Sequence, residues 1–487
     1  MNVMLTNQDL YQSLLPILPA VALMLGGCIL LLFGIMQGNS VLPADANRSN
    51  GWAWSSLLII LMVWGVWCLA STSGLRFDTG LFRIDSVTRY GTHLTLLAGA
   101  LLVIITLKMT PARYAFEFHS CLLFLLSGAI FVAGAADLTS LYLGLEVVSI
   151  PTTLLLSVSR RDDAAREATL KYFSLSAFSS AVFLMGGSYL YGIAGTTSID
   201  GIILALAKEQ NLLSQVALTM VLGGLAFRVT AVPFHFYAPD VFSGSALTVA
   251  ALLSTLPKIA GFAAMIRLLG GETLSINLAA NVVPTLMILA LITMTLGNSL
   301  ALIQKSWRRL FAYSSVAHSG YLLLGLAAAL QQGIGAQAVL AYLAAYSVMT
   351  LGVFAAIATL HGSYDKDLQL SDLRGLTQKS WWIGISLSIC LLSLIGIPLT
   401  AGFWAKFNIF QIAVTANDSL LLFGAVVMTI NAVIGAVYYL SLLASINGWD
   451  STKEAKPLEI SFASPATVAC VACAVITLLW FVFPKWM

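Results

Sequence analysis

Seven ionisable residues sit in otherwise apolar stretches of this chain: Glu146, Lys171, Arg228, His235, Lys258, His318 and Lys406. Ionisable groups in hydrocarbon-like surroundings are costly and usually mark an ion or proton path. Their chemistries divide the work. Arg228 does not deprotonate, so it can hold a carboxylate ionised and gate it by moving, but cannot relay protons. Lys258 follows Pro257 inside an apolar helix of about 24 residues and is too deep to snorkel cheaply. Burial disfavours the charged form of a lysine, which makes Lys258 able to take up and release a proton. Glu146, in LYLGLEVVSIPTTLLL, is either a lone acid satisfied by a nearby hydroxyl or amide, or the partner of a buried cation. The other charges at similar depth favour the second reading.

The remaining four are more open. His235, two residues beyond Pro233, titrates near neutral and could bridge a gap through water, or could simply be satisfied by opened backbone. Lys171 follows a basic loop and could snorkel or pair with a charge in the fifth or seventh span. His318 lies about ten residues into its span beside small residues. Lys406 follows a second helix break, as an interfacial anchor or as an inward-facing proton carrier. Tyr142, Ser176, Thr230, Ser254, Asn298 and Tyr346 could complete hydrogen-bonded water chains, or serve only as polar packing between helices.

These residues must be positioned by membrane helices. Hydrophobic residues make up 59% of the 487 positions and charged ones 9%, against about 25% charged in soluble domains. Hydropathy and breakers give an all-α integral membrane protein of about fourteen spans. Their expected ranges are 14–36, 53–71, 88–108, 118–135, 138–157, 165–192, 213–240, 246–269, 281–301, 308–329, 334–360, 380–414, 420–446 and 463–484. The seventh should break near Pro233 and the twelfth around IGIPLTAGFWAKF, because proline removes a donor and clashes with the preceding turn. The two breaks lie five spans apart. Paired broken helices are the mark of inverted repeats, and an odd number of spans turns the second block upside down. The expected division is a three-helix segment (1–117), repeats at 118–270 and 281–446, and a C-terminal helix (447–487). Loops after odd-numbered spans carry fourteen Lys and Arg and the opposite loops six. That excess places the former in the cytoplasm and both termini outside.

Other classes find no support. The net charge of +3 is dispersed, with no basic tract for nucleic acid. Cys470 and Cys473 form a C-x-x-C inside a span without a second pair or histidines. The first basic residue is Arg48, so residues 14–36 read as a retained span rather than a signal peptide. The sequence has no phosphate-binding loop, dinucleotide fingerprint or haem-type pair. Energy for any pumping must come from a partner or an ion gradient.

LYLGLEVVSIP, FRVTAVPFHFYAPDVFSG, LLSTLPKIAGF, RRLFAYSSVAHSGYLLLG and GIPLTAGFWAKF resemble the signatures of the antiporter-like subunits of respiratory complex I, over about residues 80 to 445. The E-x-x-S-x-P around Glu146 and the lysine in AGFWAKF look most like the subunit N family of NADH-quinone oxidoreductase, called subunit 2 elsewhere. A sister with a glutamate at the Lys406 position fits less well, as does a larger one with a lateral helix after the fourteenth span. The resemblance implies two inverted five-helix repeats and a proton half-channel in each. It makes Glu146 and Arg228 a coupling pair, Lys258 the central proton-holding lysine, Lys406 the feed to an exit path, and Lys171 a lysine near the first channel. It also implies a bacterial plasma (inner) membrane location and partnership with other membrane and peripheral complex I subunits. Flavin, iron–sulfur clusters and quinone would then lie in those partners, with no cofactor here. The alternative is a cation/proton antiporter subunit of the Mrp type without a redox partner. The family usually has lysine where this chain has Arg228. The segment SALTVAALLS lacks prolines common there, so the eighth helix could start differently.

Overall fold

The computed structural model describes residues 17–36, 46–71, 77–107, 109–110, 114–208, 211–271, 275–360, 369–448 and 464–483. Among them the N-terminal region forms α1 (Leu18–Met36), α2 (Ala46–Ser71), a hairpin of β1 (Phe77–Asp78) and β2 (Arg83–Ile84), and α3 (Ser86–Thr106). Next come α4 (Ala115–Gly134), α5 (Leu138–Ser159), α6 (Asp163–Ala194), α7 (Ile199–Lys208), α8 (Leu212–Arg228), α9 (Ala238–Gly244) and α10 (Leu247–Leu268). Then follow α11 (Ala279–Leu302), α12 (Trp307–Gln332), α13 (Gln337–Ala358), α14 (Leu376–Lys379), α15 (Trp381–Ile395), α16 (Ala401–Thr415), α17 (Ser419–Asn447) and α18 (Pro465–Val482). Twelve helices among the described residues are long and apolar enough to cross a membrane, and α8 and α15 are shorter apolar helices. The chain is therefore a nearly all-helical, multi-pass membrane protein. The short α8 and α15 are the first halves of the two spans expected to break.

Helix ends follow the local sequence. Asp85, Asp137, Asp162, Asn211 and Asp418 cap α3, α5, α6, α8 and α17, each accepting from a backbone N–H of the first turn. Gly195, Gly333, Gly396 and Gly448 close α6, α12, α15 and α17 with left-handed backbone that β-carbons disfavour. The 135–138 junction is the hardest to read from the sequence. It separates cleanly because Asp137 caps α5 while Ala135 bridges to Phe82 of the hairpin. The hairpin and the amphipathic α7 are additions to the expected all-α arrangement. Arg83 ties them together, binding Asp78 at 3.0 Å and also Asp200 of α7.

The wholly buried axis consists of α10, α12 and α13. Every residue of α10 is buried, as are nearly all of α12 and α13. Lys258 and His318 therefore face protein rather than lipid. Arg267 and Arg308, counted among the six and the fourteen loop cations respectively, are also buried. Arg267, in the last turn of α10, grips Asp85 with two nitrogens at 2.6 and 2.7 Å, and also bonds Thr88 and the Ala133 carbonyl. Arg308 is fully buried and donates to the Ser243 and Ser245 carbonyls where α9 ends. The Asp85 carboxylate for Arg267 and the α9 carbonyls for Arg308 give these arginines binding sites that hydropathy does not register. Of the other loop cations, Lys108, Arg113, Lys366, Lys453, Lys456, Arg76, Lys485 and the Arg48 side chain lie outside the described residues.

Burial alone would push the Asp85 carboxyl up, but the Arg267 fork and the Thr88 donors hold it below the usual carboxylate value of 3.8. A depressed folded-state pKa stabilises above the unfolded value and is lost as pH falls through the folded one. The Asp85 contribution is thus intact at neutral pH and lost only in acid below the ordinary carboxylate range. Arg267→Met strands a buried carboxylate and should cost about 3–5 kcal/mol. Asp85→Asn leaves the arginine's charge unpaired and should likewise lower the thermal unfolding midpoint in detergent.

Candidate functional site

The break in the seventh span starts earlier than the proline. Helix α8 ends at Arg228, and Thr230 adopts a positive φ of 57°. A 3-10 turn at Phe234–Tyr237 then leads into α9. Opened backbone within a membrane must find partners in protein, and here side chains supply them. Ser319 of α12 donates to the Val229 carbonyl, Tyr237 to the Phe227 carbonyl at 3.1 Å, and Thr293 accepts from Val232 N–H at 3.1 Å. Helix α10 begins at Leu247 without a side-chain cap, and Arg308 takes up the neighbouring carbonyls.

Arg228 turns from the end of α8 toward α5. Its guanidinium donates to Glu146 Oε1 at 3.0 Å and to the Leu145 carbonyl at 3.0 Å. Ser180 of α6 donates to the same carboxylate oxygen at 2.5 Å. The arginine is buried, whereas the Glu146 side chain is 24% exposed. It looks into a groove of about 480 Å³ between α5 and α6, lined also by Tyr142, Ser149, Phe173 and Ser176. The pair thus joins a fixed cation inside the bundle to a carboxylate reachable from its flank.

Gly261, one turn after Lys258, packs directly on Arg228; a β-carbon there would stand 3.0 Å from that of the arginine. Lys258 itself has no exposed surface. Its ammonium donates to the Ser315 carbonyl and lies 4.9 Å from the centre of the Tyr346 ring. Among the described residues it makes no ion pair. Tyr346 in turn donates to Ser315 Oγ at 3.1 Å and packs against His318, ring centres 5.1 Å apart. His318 Nδ1 and the Tyr342 hydroxyl share a hydrogen bond of 2.8 Å. The histidine lies within electrostatic reach of both Lys258 and Lys406.

Lys406 answers the second break. Its ammonium donates to the Leu394 and Ile395 carbonyls, both at 2.8 Å, at the C-terminal end of α15 where the helix dipole favours a cation. It sits 5.3 Å over the Tyr321 ring, and Tyr321 accepts from Asn298 at 2.9 Å. Asn298 also meets Tyr438 and Asn431. Ser393 Oγ accepts from Gly402 N–H at 3.0 Å across the break. A polar line accordingly runs from Lys258 through Ser315, Tyr346 and His318 to Tyr321 and Lys406.

Two of the seven residues stand apart. Lys171 pairs with Asp240 at 2.5 Å and Glu167 at 2.6 Å, and Arg309 reaches the other Asp240 oxygen at 3.6 Å. It binds the acid at the end of the broken seventh span and not Glu146. His235 is half-buried beside Phe236, and its Nδ1 has no partner among the described residues. Ser180, Ser315, Tyr321 and Tyr342 escaped the sequence reading. Their spacing offered one signal, since Ser315–His318 and Tyr342–Tyr346 each share a helix face.

The model of the NADH:quinone oxidoreductase/Mrp antiporter transmembrane family matches residues 135–435, which hold both breaks and all seven residues. The chain belongs to this family. The NADH-quinone oxidoreductase subunit N of Methylobacterium nodulans is 34% identical over 96% of this chain and 94% of its own length. A chain of respiratory complex I from Thermus thermophilus is 31% identical, covering 96% of this chain and 97% of that one at a TM-score of 0.80. The Mrp complex of Dietzia sp. DQ12-45-1b holds a chain of TM-score 0.79, covering 98% of this chain and 95% of that one. At 18% identity that likeness extends to the fold alone. The resemblance drawn from the motifs to the antiporter-like subunits is borne out, and within the family the chain sides with subunit N.

Proposed function

We propose that this chain is a proton-translocating membrane subunit of an NADH:quinone oxidoreductase, coupling electron transfer in partner subunits to proton movement. Its own residues do the proton work. Flavin, iron–sulfur clusters and quinone belong to the partners, and both termini face the non-cytoplasmic side. Counting α8 with α9 and α15 with α16 as single broken spans gives fourteen spans, with inverted repeats at 118–270 and 281–446.

The observation that carries this reading is the placement of Lys258. It is a fully buried lysine, it has no carboxylate partner among the described residues, and its helix packs one turn away on an arginine held by Glu146. A partner acting from the groove side can pull Glu146 off Arg228. The uncompensated guanidinium then disfavours the proton on Lys258 across the α8–α10 contact, because charges in a low dielectric are felt farther than in water. The proton moves by way of the Tyr346 and His318 region, with Lys406 as the charged end of the line. Coupling of this kind requires that the partner bind the paired and opened states differently. Lys171 with Asp240 and Glu167 forms an exchanging cluster at the cytoplasmic end of the first repeat, and His235 completes a water path at the break.

Affinity purification of the tagged chain from its native membrane should bring down flavin- and iron–sulfur-containing subunits. Isolation in a complex without redox centres, with sodium-dependent proton flux, would instead establish the antiporter alternative.

A further inference from the structure

Asn298 of α11 hydrogen-bonds none of the seven ionisable residues, yet it is buried and bonded at both ends of its amide. The close approach of α11 and α12 brings it to Tyr321. A β-carbon on Gly297 would stand 2.5 Å from the Ala317 nitrogen, and one on Gly320 would stand 2.5 Å from the Met294 nitrogen. Asn298 Nδ2 donates to the Met294 carbonyl and to the Tyr321 hydroxyl oxygen, both at 2.9 Å, with Asn431 Oδ1 farther off at 3.3 Å. A carbonyl only accepts, so the Met294 bond fixes which way the amide faces. Tyr321 is therefore the acceptor in its bond to Asn298.

Helix α17 holds the amide from the other side. Tyr438 donates to Asn298 Oδ1 at 3.1 Å. Asn431 is oriented by the same logic, since its Nδ2 donates to the Val427 carbonyl at 3.0 Å and to Thr295 Oγ1 at 3.3 Å. Gly435 leaves the space that the Asn298 amide fills: a β-carbon there would lie 3.1 Å from Oδ1. Buried amides are costly unless nitrogen and oxygen both find partners, and a network satisfied in this way is rigid. What it holds is the tip of Tyr321. The Tyr321 ring lies 5.3 Å beneath the Lys406 ammonium and packs at 83° against His318, ring centres 5.7 Å apart.

We propose that Asn298 is a positioning residue for proton uptake and release at Lys406, acting through the Tyr321 hydroxyl. This rests on the proton-translocating reading above and names a residue on which that reading depends. The amide carries no proton itself. Its hydrogen bond anchors the Tyr321 ring by the hydroxyl, so that the ring face stays under the ammonium, an attraction that strengthens where water is excluded. When Lys406 releases its one proton the attraction ends, and when the amine takes a proton back it is restored. Without the Asn298 donor the ring shifts and the ammonium loses its aromatic partner, keeping only the Leu394 and Ile395 carbonyls. The protonated and neutral states of Lys406 are then balanced differently, although no group that bonds the lysine has changed.

Asn298→Leu keeps the volume and removes the donor. In the assembled complex in inverted membrane vesicles it should lower the maximal rate of NADH-driven proton uptake about tenfold, the weight of one desolvated cation–π contact. The quinone KM should be unchanged. A packing defect alone would reduce the amount of complex, so uptake is expressed per assembled complex. Tyr321→Phe keeps the ring and removes only its anchor, and it should show the same loss. Combining the two should cost no more than either alone, because both cut one bond. Tyr321→Phe also decides the matter if Asn298→Leu does not assemble. Parent-level pumping in either single variant, or losses that multiply in the double variant, would overturn the proposal. Lys406→Met serves as the reference. If it abolishes pumping while Asn298→Leu pumps fully, the positioning role alone is wrong. If Lys406→Met itself pumps at the parent rate, the place of Lys406 in translocation falls, and the positioning role with it.

Discussion

Lys258→Met should abolish proton pumping while leaving the complex assembled. The two effects separate because of what surrounds the lysine. Its ammonium touches a backbone carbonyl and an aromatic face, with no carboxylate paired to it among the described residues. Methionine fills nearly the same volume, and no opposite charge is left stranded, which is the usual source of a large penalty when a buried ion is removed. The Ser315 carbonyl lies inside α12, where it keeps its intrahelical backbone bond. Stability should therefore change little or rise. Removing a positioned proton-transfer group generally costs about a hundredfold or more, so NADH-driven proton uptake should fall to background. Lys258→Arg should be equally inactive, because a guanidinium keeps the charge but does not give up its proton. A fully pumping Lys258→Met complex would remove the lysine from the path altogether.

How much of this was legible in the sequence depends on which physical signal carried it. The spans and both breaks follow from hydropathy, Pro233, Gly396 and Pro398, signals local to a few residues. The buried charges stood out because Glu146, Arg228, Lys258 and Lys406 interrupt apolar runs. Their grouping was another matter. No local rule says that Arg228 turns toward α5 while Lys171 turns toward Asp240, since both depend on how α5, α6 and α8 pack. The pairing of Glu146 with Arg228 was reached through family resemblance and not through spacing. Arg267 and Arg308 were misplaced for a related reason. Positive-inside counting treats a cation near a helix end as a loop residue, yet Asp85 lies 182 residues from Arg267 in sequence. The hairpin escaped because two-residue strands carry no periodicity. The hydroxyls of Tyr342 and Ser315 sat in runs of alanine, serine and tyrosine that read equally well as helix packing.

The Glu146–Arg228 pair yields the sharpest contrast between stability and function. Arg228 is 4% exposed, so its charge depends on Glu146. Glu146→Leu leaves that guanidinium buried with only the Leu145 carbonyl and Ser180 as partners, and should cost about 3–5 kcal/mol. The expected result is a reduced level of assembled complex as well as lost pumping. Adding Arg228→Met removes the stranded charge, so the double variant should recover assembly without recovering pumping. Arg228→Lys separates the gate from a relay. A lysine can pair with Glu146 but gives up the forked donors that also hold Leu145. If the site needs only a cation that the carboxylate can hold and release, Arg228→Lys should pump at a rate close to the parent complex while Arg228→Met does not. Complex abundance in membranes and proton uptake per NADH oxidised measure the two consequences separately. Normal pumping by Arg228→Met would show that the pair holds α5 against α8 and has no part in coupling.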